Sequence, residues 1–129
     1  MSVVVGYVPT REGEAALSHA IAEAGSRGLK LVVVNTSKGD ALVDERYVDE
    51  AQLAALRDRI AGSGVPHEVL HTIRGREASE EILAAAREHH ADLVVVGLRR
   101  RSAVGKLLMG STAQKVLLEA ACPVLAVKP

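Results

Sequence analysis

The chain has 129 residues with 16 basic and 16 acidic side chains, hence no formal net charge; Phe and Trp are absent and Tyr occurs twice. That balance argues against a dedicated nucleic-acid or membrane-surface binder, and the missing aromatics remove the stacking platforms of single-strand readers. A lone Cys122 cannot close an internal disulfide, no signal peptide opens the chain, and no apolar run nears the roughly 18 residues that span a bilayer, so a cytoplasmic protein is expected.

Taken in order, the chain alternates short aliphatic runs with helical patterns. "SVVVG" (2–6) reads as a first strand, and Leu17, Ala20, Ile21 and Ala24 then share one helix face. "LKLVVVN" (29–35) reads as a second strand. The polar, acidic stretch 37–50 reads as a mobile surface loop, and Leu53, Leu56 and Ile60 line a second helix. "HEVLHTI" (67–73) is a more mixed strand, placed near a sheet edge. Ala78, Ile82, Ala85 and His89 line a third helix, with Glu77, Glu80 and Glu81 early and His89 and His90 at its end, as the helix dipole favours. "DLVVVG" (92–97) and "PVLAVK" (123–128) are the last strands, and between them Ala113, Val116, Leu117 and Ala120 line a fourth helix.

Strands rich in Val without strict alternation are strands covered on both faces. Five of them alternating with four helices predict one α/β domain over 1–129, an open Rossmann-like sheet of five parallel strands with helices on both faces. The final "CPVLAVKP" is aliphatic and expected at a sheet edge, where unpaired backbone groups invite a partner strand.

The chemistry concentrates in "GLRRRSAVGKLLMGST" (97–112), between the fourth strand and the fourth helix. Ligands of open parallel sheets lie outside the carboxyl ends of the strands, and a helix starting at Gly110, Ser111 and Thr112 offers free N–H groups and a dipole to an anion. Arg99, Arg100, Arg101 and Lys106 add charge suited to a polyphosphate. The plainer alternative is that Gly97 ends a strand, Ser111 caps a helix and the arginines lie on a solvated loop. The residues themselves leave both readings open.

Three stretches, "VVVGYVPT", "DLVVVGLRRRSAVGKLLMGST" and "ACPVLAVKP", make the whole chain resemble the universal stress protein family. ATP-binding members of that family are similar in carrying glycine, two residues, glycine, nine residues, then glycine and serine or threonine. Here Gly97 opens the motif, Gly110 and Ser111 close it, and Arg100 stands at the second glycine. A second departure is Val8, where many members carry an acid after the first strand. The resemblance implies an adenine nucleotide alpha hydrolase-like fold and a nucleotide (ATP) binding regulator or stress-response switch, with Mg2+ accompanying the ATP. It places adenine near Gly6, Tyr7, Val8, Asn35 and Thr36, and ribose and phosphates along Val96, Gly97, Arg99, Arg100, Gly110, Ser111 and Thr112. It also implies a homodimer through the C-terminal strand. The competing expectation is a nucleotide-free homodimeric interaction module with a degenerate site.

Other chemistries find no support. A receiver domain needs an acidic cluster where "YVPT" stands, and "GYVPTREG" is not the glycine fingerprint of a dinucleotide fold. The adjacent His89 and His90 point to different helix sides, and His67 and His71, on one face of a strand, have no third ligand, so no metal site is expected. Cys122 reads as a small buried hydrophobe. No nucleophile–base pair or facing carboxylates emerge, so no catalytic residue is named, and slow ATP hydrolysis is the most the family resemblance would allow.

Overall fold

A computed structural model describes residues 1–36, 49–72, 77–101, 106–108 and 110–129; the side chains of 36, 72, 99–101 and 106–108 lie outside the described set. The chain runs β1 (Ser2–Gly6), α1 (Arg11–Arg27), β2 (Lys30–Thr36), α2 (Glu50–Gly62), β3 (His67–Thr72), α3 (Ala78–Glu88), β4 (Ala91–Gly97), β5 (Arg99–Arg101), β6 (Lys106–Leu108), α4 (Ser111–Glu119) and β7 (Val124–Val127). Five strands form one parallel sheet in the order β3-β2-β1-β4-β7. The mixed third strand and the last strand therefore both lie at edges, as their composition led us to expect.

The valine runs explain the layers. Stiff β-branched side chains suit extended backbone, and alternate residues leave the sheet on opposite faces. Val3, Val5, Leu31, Val33, Leu93 and Val95 meet Ala16, Leu17, Ala20 and Ala24 of α1 and Leu56 and Ile60 of α2. Val4, Val32, Val34, Val94 and Val96 meet Ile82, Leu83 and Ala85 of α3 and Ala113 and Val116 of α4. Each fully buried valine stabilises by about 1.5–3 kcal/mol relative to exposure, so the two faces supply the bulk of the driving force.

Local signals set the helix ends. Thr10 caps α1 by accepting from the Gly13 N–H (3.2 Å), and Gly28 closes it in the left-handed region at φ 65°. Asp49 and Gln52 form a reciprocal capping box on α2. Most of the expected loop 37–50 lies outside the described residues; Asp49 and Glu50 belong to this helix start.

Four details differ from the expectations. The stretch after β4 is not a plain loop, because β5 and β6 pair as an antiparallel ribbon. Its backbone groups satisfy one another even though three consecutive arginines carry no strand signature. Leu117 is 37% exposed and Leu118 78%, so α4 turns Ala113 and Val116 inward and Leu117 sits at the margin of its buried stripe. α3 buries a wider face than expected, adding Ser79, Glu81 and Leu83 to Ile82 and Ala85. Finally, Gly110 rather than Ser111 occupies the N-cap of α4.

The first turn of α1 lies unusually close to the strand ends. A Cβ at Gly13 would fall 1.8 Å from the Val8 carbonyl oxygen, and one at Gly97 2.4 Å from the Glu12 carbonyl oxygen. Both obstacles are backbone, which cannot swing aside as a side chain can. Gly13→Ala should therefore destabilise by about 1–3 kcal/mol in urea unfolding, overpacking outweighing alanine's helix propensity. Gly25→Ala in the same helix, whose Cβ would lie 3.8 Å from Val65 Cγ2, should be neutral or stabilising by up to about 1 kcal/mol.

Candidate functional site

Strand order reverses between β1 and β4: the chain moves from β1 to β2 on one side and from β4 to β7 on the other. Helices α1 and α4 consequently leave on opposite faces, the arrangement that in open parallel sheets sets the ligand crevice at the carboxyl ends. Gly6 pairs with Val34, and Val5 with Val95, so Gly6–Val8, Asn35–Thr36 and Val96–Gly97 reach one edge on three neighbouring strands. Leu98 extends this edge by donating from its N–H to the Val127 carbonyl (2.8 Å). Helix α4 runs back along the sheet between β4 and β7, which brings Gly110, Ser111 and Thr112 to the same edge. Every site residue expected from the sequence is thus assigned to this end of the sheet, apart from Arg99 and Arg100, which sit on the β5–β6 ribbon that leaves it.

Burial divides these residues by what they offer. Val96 is 3% exposed, and Gly6 is closed off beneath by Ile82, whose Cδ1 would lie 2.6 Å from an added Cβ. Asn35 is fully buried, and its Nδ2 donates to the Tyr7 carbonyl (2.9 Å) while the Tyr7 N–H donates to the Val34 carbonyl (2.9 Å). The Asn35 amide therefore fixes the main chain of Tyr7. Val8, half-buried, accepts on its carbonyl from the Thr10 N–H (2.8 Å). Ser111 is exposed and Thr112 half-buried, and no side chain caps the first turn of α4, whose N–H groups carry the positive end of the helix dipole. On the ribbon, Arg99 stands opposite Leu108, Arg100 opposite Leu107 and Arg101 opposite Lys106.

Sequence reasoning missed one network. The Tyr7 ring lies in the core beneath α1 and α2, and its hydroxyl donates to Glu14 Oε1. Arg59 of α2 donates to the other oxygen, Glu14 Oε2, and its second arm reaches Ser18 Oγ at 3.1 Å. Burial would push the Glu14 carboxyl up, but the Tyr7 hydroxyl and the Arg59 guanidinium outweigh it and hold it below its ordinary value. Burial first, then the hydrogen bond and charge of Glu14, push the Tyr7 phenol well up, with Arg59 pulling partly back. The available signal was a tyrosine continuing the first strand into the core, because a buried hydroxyl needs a partner.

Elsewhere, His89 Nε2 lies 3.4 Å from Glu68 Oε2, and no group of three His, Cys, Asp or Glu among the described residues could hold a metal. Cys122 is partly buried against the α3–α4 face, and burial together with the charge of Asp92 pushes its thiol up, away from the thiolate that would make it reactive. Among the described residues no helix is long and apolar enough to cross a membrane.

Comparison with known proteins sharpens this picture. Residues 1–128 match the model of the Universal stress protein family. A universal stress protein of Mycolicibacterium smegmatis is 45% identical over 127 residues, spanning 98% of this chain and 97% of that protein. A universal stress protein from Archaeoglobus fulgidus, solved in complex with dAMP, is 29% identical with a TM-score of 0.75 over 99% of this chain and 98% of that one. A further solved universal stress protein, in complex with cAMP, is 25% identical with a TM-score of 0.74 over 99% of this chain and 96% of that one.

The buried phenol has a pH signature. The folded chain holds the Tyr7 proton more tightly than the unfolded chain, whose ordinary value is 10.0. This contribution is intact below pH 10 and is lost as pH rises from there towards the folded value. The Glu14 contribution has the opposite sense, present above its ordinary 4.5 and lost as pH falls through its lowered value. The urea midpoint should therefore decline above pH 10, and in Tyr7→Phe that decline should shrink measurably.

Proposed function

The chain belongs to the universal stress protein family, and on that footing we propose that it binds an adenine nucleotide at the carboxyl edge of its sheet, as a regulator. The observation that carries this reading is the convergence, at the reversal of strand order, of the β1, β2 and β4 ends with the uncapped start of α4. The relatives' ligands support it: dAMP and cAMP share an adenine and one phosphate. In this chain the base would lie against the main chain of Gly6–Val8 and Asn35–Thr36. The phosphates would lie towards Gly97 and the start of α4, within reach of the basic ribbon.

ATP is the form we favour, because four cations on one ribbon exceed what a single phosphate needs. Its Mg2+ would arrive on the phosphates, in keeping with the lack of a carboxylate cluster among the described residues. The chain's own residues would bind and orient the nucleotide. None is assigned a role in breaking a bond.

Val8 and Arg100, the two departures from the family pattern, favour a second reading in which the site is degenerate. Titrating ATP into wild type and Arg100→Gly at two salt concentrations decides between them. On our reading wild type binds, and losing the guanidinium removes a charge-assisted bond of roughly 1.5–3 kcal/mol, about ten- to hundredfold in affinity. No heat and no thermal shift at millimolar ATP would refute nucleotide binding. Tighter binding by the variant would show that Arg100 obstructs the site.

We further propose that the protein dimerises through β7, an edge strand. The Val94 N–H donates to the Pro123 carbonyl (3.0 Å) and the Leu98 N–H to the Val127 carbonyl (2.8 Å). With the two-residue period of a strand, this leaves Val124 and Ala126 presenting their backbone groups to the open edge. Leu125 packs against the α1 face of the core, so changing it would disturb folding as well. Ala126→Pro deletes one outward N–H and spares the bonds to β4. Light scattering should report a dimer for wild type and a folded monomer for the variant; a monomeric wild type at high micromolar concentration would refute the proposal.

A further inference from the structure

Three elements converge on one carboxylate. Tyr7, just past β1, donates to Glu14 Oε1; Arg59, on α2, donates to Oε2 and also to Ser18 one turn further along α1. The main chain of Tyr7 is held from the other side by the Val34 carbonyl and the buried Asn35 amide. Tyr7 is therefore gripped by β2 through its backbone and by the α1–α2 pair through its hydroxyl. The next residue, Val8, has its carbonyl against Gly13 and hydrogen-bonded to Thr10. Helix α2 buries Leu56 and Ile60 with Leu53 beside them, and the Arg59 side chain ties it to α1.

We propose that Glu14 is a positioning residue for nucleotide recognition: it fixes the Tyr7 side chain and, through it, the β1–α1 turn that receives the base. This rests on the nucleotide reading given above. The geometry gives Glu14 an orienting role beside its contribution to stability. Glu14 and Arg59 side chains are 45% and 43% exposed, and an exposed ion pair adds little to folding. The Tyr7 hydroxyl, in contrast, is part-buried and its ring sits in the core, so the bond it makes to Glu14 selects one ring position and one path for the turn.

The direction of the effect follows. A turn displaced by even about 1 Å spoils base contacts severely while leaving contacts at the phosphate end untouched. Removing Glu14 should therefore weaken every ligand that carries the base, by one common factor. A residue acting on the phosphates would instead weaken ATP and spare adenosine. The Glu14→Gln variant separates the two partners, because its amide oxygen still accepts from Tyr7 while the attraction for the Arg59 charge is lost.

The test is calorimetric titration of adenosine and of ATP into wild type, Glu14→Ala and Glu14→Gln, with urea unfolding and a tyrosine absorbance titration on the same proteins. Expected are affinities for both ligands about tenfold weaker in Glu14→Ala and partly recovered in Glu14→Gln, with the urea midpoint lowered in Glu14→Ala, where the Tyr7 hydroxyl loses its partner, and recovered in Glu14→Gln. The Tyr7 absorbance transition should move down towards the ordinary phenol range in Glu14→Ala. Affinities within twofold of a wild type that binds would overturn the inference and leave the nucleotide reading standing. A loss confined to ATP would also overturn it, as would a Glu14→Gln variant that recovers the urea midpoint without recovering any affinity. A wild type that binds neither ligand would overturn the reading and the inference together.

Discussion

The close approach of the first turn of α1 to the ends of β1 and β4 constrains most of what surrounds it. Gly13 admits the Val8 carbonyl and Gly97 admits the Glu12 carbonyl, in both cases at distances no side chain allows. Because α1 sits this deep, Glu14 comes within reach of the Tyr7 hydroxyl and Arg59 can reach across from α2. The same depth sets the height of the turn from Tyr7 to Thr10. The glycine that opens the basic stretch 97–112 is thus a packing requirement.

Several polar groups at this end converge on one turn. Asn35 donates to the Tyr7 carbonyl, Thr10 caps α1, and Tyr7 is bound to Glu14. In a nonpolar interior such groups are costly unless paired, and each pairing here restrains the same turn. The consequence for recognition is specific to this chain. At this turn Val8 offers only a hydrocarbon side chain and a carbonyl already engaged with Thr10. Discrimination of a base at this turn would fall to main-chain groups, so the accuracy with which the turn is held matters more here than where a carboxylate could adapt.

The sheet was legible because its signal is local. Val3–Val5, Val32–Val34 and Val94–Val96 are runs of one stiff residue, and such runs in a chain without Phe or Trp leave few ways to build a core. Helix faces were legible where the period was strong, and less so for Leu117, at the edge of a narrow stripe. The reversal of strand order followed from topology once β1 and β4 were neighbours. What was hidden depends on partners distant in sequence or on pairing without composition. Arg59 lies 45 residues from Glu14, and nothing local announces that meeting. The β5–β6 ribbon joins three arginines to "KLL", and no propensity marks either as a strand.

That ribbon also explains why charge can be informative in a protein with none overall. Residues 93–118 contain no acid and five cations. One of these, Lys115, lies 3.9 Å from Glu77 and 3.8 Å from Glu80, so α3 partly neutralises it. The other four are Arg99, Arg100, Arg101 and Lys106, and the pairing sets Arg101 directly opposite Lys106. Like charges in opposed register oppose strand pairing, by about 0.2–1 kcal/mol per pair. In the chain the same ribbon lies between Gly97 and the positive end of α4, and an anion bound at the carboxyl edge, as proposed, would offset that repulsion. On this account the cost of holding the ribbon together in the free protein and the attraction for a phosphate chain have one origin, and both the number and the register of the cations tie the fold to the proposed ligand.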